Sequence, residues 1–145
     1  MMLMKEDAVV LEREAPAEDA HSAMAKEIEF RLTPYLYRLG IPPHVMGYCY
    51  LRSAVVECLL STPERKEITK IVYPRVALNY GTTVSAVERA IRHAVTLAWE
   101  HGGLRGIKGD PCTALLTFRR KPTNKGCITA LADMIRLAYG EKIGL

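Results

Sequence analysis

The sequence has 145 residues, 49% of them apolar and 25% charged, with a net charge of +4. That is one domain's length and enough to bury a real core, and the longest apolar runs fall far short of the ~20 residues needed to cross a bilayer. The charge is unevenly spread: residues 1–30 carry three Lys/Arg against eight Asp/Glu, and residues 31–125 carry fifteen against six. An acidic leading segment precedes a basic body, a distribution suited to a polyanion partner or to plain solvation.

The opening MMLMKEDAVVLEREAP has neither a basic start nor a sustained apolar stretch, so no signal peptide is read and a cytoplasmic location is expected. Residues 1–21, with their acids, alanines and Pro16, read as a mobile arm, partly helical at most; residues 22–145 read as one domain. From Ser22, Met24, Ile28, Leu32 and Leu36 recur at helical spacing, and Pro34 predicts a kink or break. Gly40 stops this helix, and Ile41-Pro42-Pro43 forms a stiff connector.

A second helix is expected from about His44 to Leu60, with Val45, Tyr48, Leu51, Val55 and Leu59 on its inner stripe. A third covers Ile68 to Tyr80, its main part starting at Pro74 and closing at Gly81 as a left-handed cap. A long helix follows over about 83–100 and ends at Gly102-Gly103. Residues 104–116 form short turns, and Thr113–Arg119 is the one stretch with strand character. A last helix opens at Lys121-Pro122-Thr123-Asn124, with Ile128, Leu131, Met134, Ile135 and Leu137 on its apolar side. The expected fold is all-α, about six helices with a central helix-turn-helix.

The four cysteines (Cys49, Cys58, Cys112, Cys127) and four histidines (His21, His44, His93, His101) are scattered. No CxxC occurs, so the cysteines read as reduced, mostly buried apolar groups, and no metal site is expected. No phosphate loop and no nucleophile–base–orienter set is present, so neither enzyme activity nor a cofactor is expected.

Residues 68–101 outline a short helix, a tight turn at Gly81-Thr82-Thr83, and a longer helix that can enter a major groove. At 3.6 residues per turn, Val84, Val87, Ile91, Val95 and Ala98 fall on one side of it, while Ser85, Glu88, Arg89, Arg92 and Thr96 fall on the other. Arg forks match guanine O6 and N7, and Glu accepts from a cytosine amino group, so Arg89, Arg92 and Glu88 suit base edges. Thr82, Thr83 and Ser85 at the helix start suit phosphates. A second reading fits the same residues: Ser85-x-x-Glu88 as a capping box, and Glu88–Arg92 as an ordinary pair one turn apart.

IPPHVMGYCYLRSAV (41–55), ITKIVYPRVALNYGTT (68–83), SAVERAIRHAVTLAW (85–99) and KPTN (121–124) occur in this order. From about residue 22 to about 139 the sequence resembles the C-terminal DNA-binding domain of the stage-zero sporulation response regulator of endospore-forming bacteria. The resemblance implies a six-helix DNA-binding transcription regulator acting on double-stranded DNA with a TGTCGAA-like box. It carries base reading onto Glu88, Arg89 and Arg92, and the lysine of KPTN onto Lys121. A cation beside a helix N-terminus, where backbone N–H groups face outward, suits a phosphate; a turn and cap built on Thr123 or Asn124 is the alternative. His93, Arg119 and Arg120 are further phosphate candidates.

Two departures stand out. An acidic arm is expected to stand in place of the family's receiver domain, and DNA binding without aspartate phosphorylation is expected with it. Ala86 stands where the family often has a basic residue, and Arg119-Arg120-Lys121 is placed to compensate. The family's contact with RNA polymerase sigma factor makes that protein a second implied partner. Oligomeric state stays open between one copy per box and a homodimer on tandem sites. The competing function is a protein-interaction module that modulates a full-length relative or a sigma factor without touching DNA.

Overall fold

The computed structural model describes residues 16–61, 67–105 and 111–145. Five α-helices run through them: α1 (Pro16–Arg38), α2 (Met46–Ser61), α3 (Tyr73–Tyr80), α4 (Val84–Glu100) and α5 (Asn124–Ile143). A π-helical turn, Ile68–Val72, leads straight into α3, and two 3-10 turns, Gly103–Arg105 and Pro111–Leu116, lie between α4 and α5. No strand occurs among the described residues. The all-α expectation holds, with five α-helices and these turns in place of about six helices. Among the described residues no helix is long and apolar enough to cross a membrane.

Helix α2 is the centre. Tyr48, Tyr50, Leu51, Ala54, Val55, Val56, Cys58 and Leu59 are all buried, so it is apolar around most of its circumference, as a helix enclosed by neighbours must be. It packs against α1, α3, α4 and α5. Gly47 sets the closeness of one of those contacts: a Cβ there would collide with the carbonyl oxygen of Ala90 and the side chain of Ala94. Two small faces thus let the α2 and α4 backbones touch. From α4, Val87, Ile91, Ala94, Val95 and Ala98 are buried against this centre. The chain's single tryptophan, Trp99, is half-buried and packs at the edge of the same core.

Several local expectations are corrected. Helix α1 starts at Pro16, six residues before Ser22, and it runs unbroken through Pro34. Pro34 is exposed, while Leu32, Tyr35, Leu36 and Leu39 on both sides of it are buried. Burial of that continuous stripe holds the helix together, and a carbonyl left unpaired by proline on the outer face finds water. Helix α2 begins at Met46, after a turn in which the Val45 N–H donates to Pro42 O at 3.4 Å. The strand character of Thr113–Arg119 is not realised, since Pro111–Leu116 is a 3-10 turn. A lone extended segment has no ladder partner here; the Thr117 N–H donates to Ala114 O at 3.3 Å and the Phe118 N–H to Leu104 O at 3.0 Å instead. Leu137 is exposed; about 100° per residue turns it roughly 200° away from buried Ile135.

Residues 1–15 of the arm, and Thr62 and Pro63 after α2, lie outside the described residues. Cys49, Cys58 and Cys127 are not in disulfides. Burial pushes the Cys127 thiol up to about 12.

Candidate nucleic-acid interface

The helix-turn-helix begins with Pro74 in the first turn of α3, where a missing N–H costs nothing. Gly81 ends α3 in the left-handed region, φ 62° and ψ 39°. Its N–H donates to Leu78 O at 3.3 Å, and the Thr82 N–H donates to Ala77 O at 2.9 Å. This pair of bonds is a Schellman closure, which reverses the chain without slack.

Thr83 then opens α4 from an extended conformation. Its Oγ1 accepts from the Ala86 N–H at 3.1 Å. The capping box proposed for Ser85 and Glu88 is therefore not formed: Ser85 lies inside the helix, and the cap sits two residues earlier. With Ala86 in the reciprocal position, no side chain can reach back. The Thr83 hydroxyl proton remains available for a further acceptor.

Around α4, Ser85, Arg89, Arg92 and His93 are exposed and Glu88 is half-buried. Arg89 and His93, one turn apart, form the crown of the helix. Arg92 leans toward one flank, where its Nη2 donates to Glu88 Oε1 at 3.0 Å. The simple i, i+4 pair is thus present. Among the described residues Arg89 has no ion pair. Thr96 is turned inward along the helix, its hydroxyl donating to Arg92 O at 2.8 Å.

On the flank of Arg92 lies a groove of about 480 Å³ between α4 and the start of α5. Glu88, Arg92, Lys121 and Lys125 supply its charges, and Thr69 and Tyr73 are also in its wall. The structure therefore brings Lys121 to the same cleft as Glu88 and Arg92. It does not bring Arg119 and Arg120 there; both are exposed in the bend before Lys121. Thr82 is half-buried beside the Gly81 turn. At the head of α5, Thr123 caps the helix, its Oγ1 accepting from the Gly126 N–H at 3.0 Å. Of the two cap candidates, Thr123 holds the role.

Asn124 does something else. It is the one buried amide or charged side chain among the described residues, and its Nδ2 donates to the backbone carbonyl of Glu88 at 2.8 Å. Tyr73 lines the same groove as Asn124, and the pKa of its hydroxyl is raised, first by burial, with Asn124 opposing the shift. Sequence reasoning passed over Tyr73 and saw Asn124 only as a cap. The available signal was that Asn124 follows a threonine already able to cap, which leaves its amide free for a partner far along the chain.

The exposed Arg-bearing face of α4, the phosphate-suited helix start and the flanking lysine make a surface that fits duplex DNA better than a small ligand. The family model described as “Sporulation initiation factor Spo0A C terminal” matches residues 32–135. That span runs from inside α1 to inside α5 and takes in the whole helix-turn-helix. The chain belongs to the family of the C-terminal domain of sporulation initiation factor Spo0A, a helical DNA-binding domain of a transcription regulator.

Proposed function

We propose that the protein is a sequence-specific regulator that inserts α4 into the major groove of a TGTCGAA-like box. Arg89 and Arg92 read guanines, and Glu88 takes a cytosine amino group or holds Arg92 in place. Thr82, Thr83, Ser85, His93, Arg119, Arg120 and Lys121 contact phosphates. The observation that carries the reading is the pairing of an exposed arginine face on α4 with Lys121 across the adjoining groove. Such a face reads base edges, while the lysine fixes register on the backbone.

The Glu88–Arg92 ion pair does not argue against this role. Exposed pairs of this kind are worth roughly 0.3–0.5 kcal/mol, whereas a good bidentate base contact discriminates by about 1–3 kcal/mol. Arg92 can exchange one partner for the other at a gain.

Fluorescence anisotropy on matched duplexes, one with the box and one scrambled, tests the reading at fixed salt. Tighter binding to the box is expected. Equal binding to both would remove sequence specificity. Absence of binding to either would favour a role in pairing with a full-length relative or sigma factor. Sedimentation on one-box and two-box duplexes would separate single occupancy from pairs on tandem sites.

A further inference from the structure

We infer that Asn124 is a positioning residue for DNA recognition, clamping the recognition helix to the segment that carries Lys121. The inference rests on the reading of α4 and Lys121 as DNA-contacting. Burying a polar amide is costly unless its hydrogen bonds are made, so a buried asparagine calls for a reason. Here the reason is visible in its partners. Its amide donates to Glu88 O at 2.8 Å, across 36 positions of sequence. That carbonyl has two lone pairs, so it can serve the ladder of α4 and Asn124 together. Tyr73, at the start of α3, lines the same groove as Asn124. One side chain thus ties the first turn of α5 to the backbone of α4.

The position matters for the site. Glu88, whose carbonyl is held, lies one residue before Arg89 and one turn before Arg92. Asn124 lies three residues after Lys121, just past the Thr123 cap. The clasp therefore sets the distance between the base-reading arginines and the phosphate lysine. Recognition needs both in register at once, and a loosened support spoils geometry before it spoils the fold. Asparagine is suited to the place because its short amide both donates and accepts. Aspartate would face the Glu88 carbonyl with another acceptor, and alanine would leave that contact unmade.

The test compares Asn124→Ala, Lys121→Ala and the double variant on the box duplex, over a range of salt, well below the melting temperature. The expected result is that Asn124→Ala weakens binding on the order of tenfold, within the range of coupling between neighbouring sites. It should also lower the salt slope by about one, as loss of one phosphate contact does. Adding Lys121→Ala should then cost little more, because the lysine is already out of register. A purely structural asparagine would lower the melting temperature and leave the salt slope alone. Folded Asn124→Ala with an unchanged slope, and effects that multiply in the double variant, would overturn the inference. If Asn124→Ala does not fold, Asn124→Leu keeps the bulk and removes the donor to the Glu88 carbonyl, and the same loss of coupling is expected from it. No coupling there would also overturn it. Wild-type protein that binds no DNA would sink the underlying reading as well, an outcome separate from wild-type binding with an inert Asn124.

Discussion

Arg89 and Arg92 look equivalent in the sequence, three residues apart on one outer stripe. The structure separates them. Arg92 is paired with Glu88 at 3.0 Å, while Arg89 stands exposed on the crown. Replacement of Arg89 by alanine is expected to cost about 1–3 kcal/mol of box binding and to relax base choice at one position. Arg92→Ala should cost less by roughly the worth of the surface pair it gives up in binding, about 0.5 kcal/mol. Titrations on duplexes with single base changes measure both. Lys121→Ala should weaken box and scrambled duplexes alike and reduce the salt slope by about one. A change in base preference instead would place Lys121 at a base edge. At this scale the sequence was informative about residue type and poor about partners. Glu88, Arg92 and Lys121 could each be picked out by chemistry, but their convergence on one groove depends on how α5 crosses α4. No periodicity within a single helix encodes that crossing.

The elements divide in the same way. The apolar stripe of α4 and the Gly81 cap were legible, because a 3.6 period and a positive-φ glycine are local properties. The Thr113–Arg119 turn was misread because alternation is local too, and the lack of a partner strand is not. The cap of α4 slipped by two residues because Ser85 and Thr83 both suit a cap; the Schellman closure at Gly81 decided which one reached the position. Two predictions belong here. Thr83→Ala should destabilise the fold by about 1 kcal/mol through the lost cap, read as a lower midpoint in urea. Gly47→Ala should destabilise it by about 1–3 kcal/mol, since a new methyl meets the Ala90 backbone and forces α2 and α4 apart. Thermal unfolding followed by circular dichroism checks both. An unchanged melting temperature for Gly47→Ala would mean that the two helices can separate freely.

For the whole molecule, the buried acids of the core set the pH behaviour. The Cys127 thiol is raised by burial from 9.0 to about 12, and the buried Tyr73 hydroxyl is also raised, chiefly by burial. In each case the folded state holds its proton more tightly than the unfolded chain. The contribution of these groups to stability is therefore complete below about pH 9, and it falls as pH rises from there, because the unfolded chain ionises first. A melting temperature that is flat from pH 7 to 8.5 and drops by pH 10.5 is expected, and Cys127→Ala should make the drop shallower. The same burial keeps Cys127 from reacting with thiol reagents in the native state. Trp99 adds a practical consequence. The molecule has one indole, and it sits on α4 at the edge of the core. Its fluorescence is thus a private channel for α4, while circular dichroism reports all five helices. If the two signals melt together, α4 belongs to the same cooperative unit as the bundle; if fluorescence changes first, α4 is the part that lets go first.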